Sequence, residues 1–232
     1  MLRRDLVRSR AEAQHLIELG RVEVAGVSRP KASTSVDGAT LIKVAGARFA
    51  SRAGEKLDAA LGHFGIAVDG KRALDVGAST GGFTDCLLKW GASEVVALDV
   101  GHGQLSPVLR SHPHVRVLER LDVRDATPSL VGGPFEVIVA DVSFVSLCTI
   151  APALAGMAVK QADIVALVKP QFEVGRKSIG RGVVTDPDLR NQALAVVKLC
   201  FDQAGLDTVA VMESPLTGAR GNLEYLLWAR PA

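Results

Sequence analysis

The sequence is poor in cysteine and in aromatic residues, and each shortage excludes a class of protein. Its 232 residues include three cysteines, Cys86, Cys148 and Cys200, which are widely spaced and form no C-x-x-C pair. This usage argues against a disulfide framework or a zinc ribbon and is typical of a reducing compartment, so we expect a cytoplasmic protein without a bound metal. Aromatic residues make up 4% of the chain and are few near its start, where rings for stacking are scarce.

The sequence also lacks a convincing membrane segment. No apolar stretch follows the charged start MLRRDLVRSR, so we expect no secretory signal peptide. Residues 142–159 carry no charge over 18 positions, which approaches the length of a membrane span. Three Ser/Thr residues, a Pro and a Gly dilute this run, and apolar strands flank it. We therefore interpret it as a buried helix and expect no stable membrane association.

The excess of positive charge is small and lies at one end of the chain. The net charge is +2, but residues 1–50 contain nine Lys/Arg and five Asp/Glu, whereas the remainder contains 18 and 20. A basic head of this kind is typical of proteins with a polyanionic partner. An ordinary solvated surface explains the charge alone equally well.

Hydrophobic periodicity divides the chain into a small unit, residues 1–46, a linker, residues 47–55, and a large unit, residues 56–232. In the small unit, Ser9 and Glu12 form a capping box for one helix, and two short strands follow. In the large unit, apolar strands alternate with helices, which predicts a mostly parallel sheet. The last two strand patterns have no helix between them and predict an antiparallel pair. The fold class is therefore α/β, Rossmann-like, preceded by a small α+β unit.

The strand-to-helix turn LDVGASTGGFTD predicts a nucleotide-type cofactor site. Its glycines allow a sharp turn and close backbone approach to a ligand, and Asp99 ends the next strand, where a carboxylate can bind ribose hydroxyls. The spacing is G-x-x-x-G-G rather than G-x-G-x-x-G, and Asp75 precedes the first glycine. These details favour S-adenosylmethionine over a nicotinamide cofactor. The candidate cofactor-binding residues are Asp75, Gly77, Ser79, Gly81, Gly82, Asp99 and Asp122.

The segment ADVSF, which ends the strand FEVIVADV, lacks the motifs of two other methyltransferase chemistries. It has neither the Asn/Asp-Pro-Pro-aromatic run of amine methylation nor the Pro-Cys nucleophile of cytosine carbon methylation, and Cys148 nearby is expected in the core. A ribose 2′-hydroxyl instead needs a group that accepts its proton. Lys169, in LVKPQ, is predicted to lie beside Asp141 at the same sheet edge and to be that acceptor.

Six ordered motifs resemble the TlyA family: SRAGEKL, DVGASTGGFTD, ALDVGHGQL, ADVSFVSL, LVKPQFEVGR and GNLEYLLW. In this family an S4 RNA-binding domain precedes an FtsJ-like 2′-O-methyltransferase domain. The resemblance implies methyl transfer from S-adenosylmethionine to cytidine 2′-hydroxyls of ribosomal RNA in the ribosomal subunits. It also implies a catalytic tetrad of Lys56, Asp141, Lys169 and Glu224, in which Asp141 and Lys56 orient the acceptor and the ribose.

The resemblance extends to RNA binding, with one departure. The S4-like unit lacks the usual first helix, so we expect it to be N-terminally incomplete, and it would recognise the shape and phosphates of folded RNA. A glycine-containing loop after Lys169 is predicted to face RNA. The predicted RNA-binding residues are Arg3, Arg4, Arg8, Arg10, Arg21, Arg176, Lys177 and Arg181. The alternatives are a membrane-active hemolysin, because family members often carry that label, and RNA binding without catalysis.

Overall fold

The computed structural model describes residues 1, 6–7, 10–18, 20–28, 30–44, 48–174, 182–218 and 221–232. The helices are α1 (Arg10–Glu18), α2 (Ala53–Phe64), α3 (Gly82–Lys89), α4 (Pro107–Arg110), α5 (Pro128–Val131), α6 (Leu147–Met157), α7 (Pro170–Glu173) and α8 (Pro187–Gln203). The strands are β1 (Val22–Val24), β2 (Val27–Ser28), β3 (Ile42–Val44), β4 (Arg72–Val76), β5 (Glu94–Asp99), β6 (Val115–Glu119), β7 (Phe135–Ala140), β8 (Ala158–Val168), β9 (Leu206–Glu213) and β10 (Tyr225–Pro231).

The small unit packs α1 against a three-stranded antiparallel sheet in the order β2-β1-β3. β1 and β2 are joined by a tight turn at Ala25 and Gly26, both with positive φ (49° and 83°), as hairpin geometry requires. Leu16 of α1 and Val22 of β1 lie in a small apolar core. The predicted capping residue Ser9 lies outside the described residues.

The large unit is built on a seven-stranded sheet in the order β6-β5-β4-β7-β8-β10-β9. The first five strands are parallel, and β10 pairs antiparallel with both β8 and β9. This confirms the predicted Rossmann-like sheet and its antiparallel C-terminal pair.

Helices cover both faces of the large sheet, which explains why its central strands are continuously apolar. In β7, Val137 and Val139 face the core formed with α2 and α3, whereas Ile138 and Ala140 face the core formed with α6 and α8. Phe49, in the predicted linker, is 3% exposed and packs into the α2–α3 core. The chain thus packs with the large unit from Phe49 onward.

The uncharged run at residues 142–159 forms α6 and its flanks. α6 has 11 residues, and its Ile150 and Leu154 are buried against the sheet, as predicted for a buried helix. Within the described ranges, no helix is long and apolar enough to cross a membrane. Cys148 of α6 is disulfide-bonded to Cys200 of α8. This bond was not predicted, because the two cysteines are 52 residues apart and the sequence does not show that the two helices pack side by side.

Candidate active site

Two adjoining cavities open at the carboxyl ends of the parallel strands, where open α/β sheets bind their ligands. One, of about 440 Å³, is lined by Lys56 and Lys169 and is called the lysine cavity below. The other, of about 390 Å³, is lined by Asp99 and is called the Asp99 cavity. Their shared wall consists of Gly77, Ser79, Asp141, Ser143 and Phe144. A group bound in one cavity is therefore adjacent to a group bound in the other.

All four predicted catalytic residues line the lysine cavity and form two ion pairs. Lys56 Nζ lies 2.5 Å from Glu224 Oε2, and the two side chains are only 6% and 3% exposed. Lys169 Nζ lies 2.6 Å from Asp141 Oδ1, with side-chain exposures of 11% and 19%. The buried Lys56–Glu224 pair stays together, because an unpaired charge in this buried position would be unfavourable. The more exposed pair is open to a substrate.

Lys169 is held at the cavity by the end of β8. Pro170 begins α7, and a proline suits the first position of a helix because no partner is needed for its missing N–H. Lys169 Nζ donates a hydrogen bond to Ser143 Oγ at 2.9 Å. Asp141 Oδ1 is buried and has no hydrogen-bond donor among the described residues, so its contact with Lys169 is an ion pair. An ammonium group has three donors, and these partners leave capacity for a further acceptor.

The turn after β4 packs closely against the chain beyond β7 and holds the Asp99 carboxylate. Gly77 has φ +82°, and a Cβ there would lie 2.5 Å from the backbone oxygen of Asp141. Ser79 N donates to Asp99 Oδ2 at 2.8 Å, and Gly101 N donates to Asp99 Oδ1 at 2.7 Å. These bonds fix the Asp99 carboxylate in the cavity wall, while each oxygen retains a lone pair for a ligand hydroxyl.

The remaining predicted cofactor residues divide between wall and interior. Gly82 lines the lysine cavity, whereas Asp75 and Gly81 are not among the residues lining either cavity. Asp75 is fully buried and accepts a hydrogen bond from Thr84 Oγ1 at 2.6 Å. Burial raises the pKa of Asp75 to about 7. Asp75 therefore supports the turn from behind, where it joins β4 to α3.

Asp122, a predicted cofactor-binding residue, lines the Asp99 cavity, but its carboxylate already has a partner. Arg124 Nη2 lies 2.5 Å from Asp122 Oδ2, and Arg124 Nε donates to Asp122 Oδ1 at 2.9 Å. These hydrogen bonds lower the pKa of Asp122 to about 2. Asp122 also caps the short 3₁₀ turn that follows it. A ligand that contacts Asp122 would have to share its carboxylate with Arg124.

Two of the predicted RNA-binding residues are described. Arg21 pairs with Glu55 of α2 at 3.1 Å, and thereby joins the small unit to the large one. Arg10 begins α1 and is exposed. The other predicted RNA-binding residues lie outside the described residues: Arg3, Arg4, Arg8, Arg176, Lys177 and Arg181.

Sequence reasoning missed several residues of the lysine cavity. Phe144 is 92% exposed, has φ +65°, and its ring lies 5.1 Å from that of Phe172. Ser143 and Gln171 also line the cavity. All of them lie within three residues of a predicted catalytic residue, in ADVSF or VKPQF. The motifs therefore identified this part of the cavity wall, but they assigned no role to these residues.

Comparisons with known proteins agree with this geometry. Residues 49–231 match the family described as FtsJ-like methyltransferase. The chain is 49% identical to the 16S/23S rRNA (cytidine-2′-O)-methyltransferase TlyA of Mycobacterium tuberculosis (strain CDC 1551 / Oshkosh), over 99% of this chain and 87% of that protein. It is 43% identical to Hemolysin A of Brachyspira hyodysenteriae, over 94% of this chain and 92% of that protein.

A solved structure extends the comparison to the fold. A protein of Streptococcus thermophilus described as a hemolysin superposes with a TM-score of 0.80 at 38% identity, covering 98% of this chain and 84% of that one. The match therefore includes both the small and the large unit. The chain belongs to the FtsJ-like methyltransferase family, in the group that contains these TlyA and hemolysin-named relatives.

Proposed function

We propose that the protein transfers a methyl group from S-adenosylmethionine to the 2′-hydroxyl of a cytidine in ribosomal RNA. The observation that carries this proposal is the pair of lysine–carboxylate contacts, Lys56–Glu224 and Lys169–Asp141, in one cavity that adjoins the Asp99 cavity. The TlyA relative, at 49% identity, is named for this reaction on 16S and 23S rRNA.

The residues of the Asp99 cavity suit S-adenosylmethionine. Asp99 would accept hydrogen bonds from the ribose hydroxyls, and the apolar side chains of Val100, Val123 and Ile150 would contact the adenine. Gly77, which lines both cavities, would keep their shared wall in place, because a Cβ there would collide with the Asp141 backbone oxygen and shift the turn. The cofactor supplies an electrophilic methyl group on a sulfonium centre.

The lysine cavity would hold the ribose of the target nucleotide. Lys169 Nζ, once deprotonated, would accept the 2′-hydroxyl proton, and the hydroxyl oxygen would be the acceptor of the cofactor's methyl group. Asp141 and Ser143 hold Lys169 Nζ at 2.6 and 2.9 Å, so its position in the cavity is set before the substrate binds. Lys56, held by Glu224 and lining the same cavity, would donate a hydrogen bond to the ribose.

The small unit would bring the RNA to this cavity. Its exposed Arg10 is a positive group suited to phosphates, and so is Arg52, which lines the lysine cavity and lies 3.5 Å from Glu18. The other predicted RNA-binding arginines and Lys177 extend this proposal to the parts of the chain that are not described. Recognition through phosphates predicts binding that weakens steeply with salt concentration.

Methyl transfer to ribosomal subunits from a strain that lacks this protein tests the proposal. Tritiated S-adenosylmethionine should label one or both subunits, and mapping should place the label on a cytidine 2′-oxygen. Label on a base, or only on protein, would contradict it. Liposome leakage by the same preparation without methyl transfer would instead support the hemolysin alternative.

A further inference from the structure

Two loops carry the Lys169–Asp141 pair, and a second contact joins them at their other ends. The first loop runs from Asp141 at the end of β7 to Ser146 before α6. The second is the turn from Lys169 through α7 to Glu173. At their cavity ends the loops meet through Lys169, Asp141 and Ser143. The opposite ends of both loops meet at Glu173.

Glu173 binds the start of α6 through both carboxylate oxygens. Ser146 Oγ donates to Glu173 Oε2 at 2.5 Å, and Leu147 N donates to Oε1 at 3.0 Å. Ser146 Oγ in turn accepts a hydrogen bond from Cys148 N at 3.1 Å, as the N-cap of α6. Glu173 lines neither the lysine cavity nor the Asp99 cavity. Its contacts are therefore with the protein rather than with a bound ligand.

The turn between Lys169 and Glu173 is short and internally hydrogen-bonded, so the position of Glu173 affects the position of Lys169. Phe172 N donates to Lys169 O at 2.8 Å, and Val174 N donates to Pro170 O at 3.0 Å. Phe172 also contacts the Phe144 ring of the first loop. The two loops thus form a closed ring, pinned at one end by the Lys169 ion pair and at the other by Glu173.

We infer that Glu173 is a positioning residue whose carboxylate fixes the Lys169 turn against the Asp141 loop. This inference rests on the proposed role of Lys169 as the proton acceptor. Proton transfer and in-line attack depend on the placement of Nζ, and a displacement on the order of 1 Å can cost about a hundredfold in rate. Release of the Glu173 end would let the Lys169 turn move away from Asp141.

The environment of the Glu173 carboxylate agrees with a built-in contact. Burial raises the pKa of Glu173, and the two donors from Ser146 and Leu147 oppose that effect. A buried carboxylate loses its contacts with water and needs hydrogen-bond donors from the protein in their place. In a Glu173→Ala variant, the two donors would have no acceptor.

The test compares Glu173→Ala and Glu173→Gln with the control Asp163→Ala in steady-state methyl transfer. Asp163 is equally a buried carboxylate with several donors, but it lies in the middle of β8, outside both loops. Glu173→Ala should lower kcat by about ten- to a hundredfold, with KM for S-adenosylmethionine unchanged. Glu173→Gln retains an acceptor for Leu147 N and a polar partner for Ser146, so it should recover most of kcat.

Amide hydrogen exchange, measured on the wild-type and variant proteins without RNA, tests the contact between Glu173 and the start of α6 independently of activity. Glu173→Ala should speed exchange of the Leu147 amide and of residues 142–147, whereas Asp163→Ala should not. Unchanged exchange or unchanged kcat in Glu173→Ala overturns the inference, and so does a parallel kcat loss in Asp163→Ala with both proteins folded. A wild type that does not methylate ribosomal RNA contradicts the proposed function, while the exchange data still decide whether Glu173 joins the loops.

Discussion

Two parts of strand β8 hold charged side chains in different ways. In its middle, the buried Asp163 accepts from Lys71 Nζ at 3.3 Å, Trp228 Nε1 at 3.1 Å and Arg230 Nε at 2.9 Å. Beyond its end, Lys169 has Asp141 and Ser143 as partners and faces a cavity. The first cluster satisfies the carboxylate from three sides. The second leaves hydrogen-bonding capacity for a ligand.

The difference shows how one strand can contribute a stabilising ion cluster and, beyond its carboxyl end, a side chain that is free to react. A buried charge is tolerated when its partners are complete, and breaking such a group is strongly destabilising. A charged side chain that keeps hydrogen-bonding capacity for a ligand has fewer partners in the protein and is less stabilised by them. Functional sites in general have this cost in stability. The comparison predicts that variants of the Asp163 cluster change stability, and variants beyond the end of β8 change activity.

Replacement of Lys169 is the most direct test of this comparison. Lys169→Ala removes the proposed proton acceptor and should lower kcat by about 10²- to 10⁴-fold, the usual range for general-base catalysis. Binding of S-adenosylmethionine, measured by calorimetry, should be nearly unchanged because the Asp99 cavity remains intact.

The matched control removes Lys71, which directly precedes β4 and contacts Asp163 of β8. Lys71 pairs with Asp163 across 3.3 Å, so Lys71→Ala should lower the melting temperature slightly and leave kcat within about twofold. If Lys71→Ala abolished methyl transfer, or Lys169→Ala retained it, the contrast between the Asp163 cluster and Lys169 would be wrong.

The Lys56–Glu224 pair combines both properties, since it is buried and lines the cavity. Lys56→Met leaves an uncompensated buried carboxylate and should cost about 3–5 kcal/mol of unfolding free energy, together with most of the activity. The double variant Lys56→Met/Glu224→Gln should regain much of the stability, because the buried charge is gone, without regaining activity. Urea denaturation and methyl transfer check these outcomes, and an active double variant would contradict the role of Lys56.

Much of the fold could be predicted from the sequence because its local signals agree with the final packing. The apolar runs of β7 and β8 and the glycine turn after β4 each specify one structure. Long-range pairings were not predictable. Cys148 and Cys200 are 52 residues apart, and their bond depends on how α6 packs against α8.

The candidate site could be predicted only as far as sequence motifs identify side chains. The resemblance selected Lys56, Asp141, Lys169 and Glu224, and all four line one cavity. It did not show that Asp75 is buried behind the turn, because a carboxylate before a glycine turn can face either way. Nor did it single out Glu173, whose partners are 26 and 27 residues away.

The glycine turn of the Asp99 cavity offers a test with a smaller expected effect. Gly77→Ala places a methyl group 2.5 Å from the Asp141 backbone oxygen at φ +82°, so the turn must shift. KM for S-adenosylmethionine should rise by about tenfold, with a loss of stability on the order of 1–3 kcal/mol. Gly65→Ala is the control, since Gly65 also has positive φ, +67°, but a Cβ there meets nothing within 4 Å. It should cost stability alone, and equal KM values in the two variants would argue against the cofactor role.

The smallest effect on activity is expected at Asp75, which supports the turn from behind. Its pKa is raised from 3.8 to about 7 by burial, so the stabilisation from its protonated form is fully present below about pH 4 and is lost as pH rises through about 7. Asp75→Asn keeps the shape and an acceptor for Thr84 Oγ1 but cannot ionise. Between pH 5 and 9 (on the order of two units either side of that pKa), its melting temperature should therefore rise relative to wild type. Asp163→Asn, in the middle of β8, should instead be destabilised at both limits, because its three donors lose a charged acceptor. A constant difference between Asp75→Asn and wild type across this range would mean that Asp75 does not titrate there, and that its burial does not weaken the fold as pH rises.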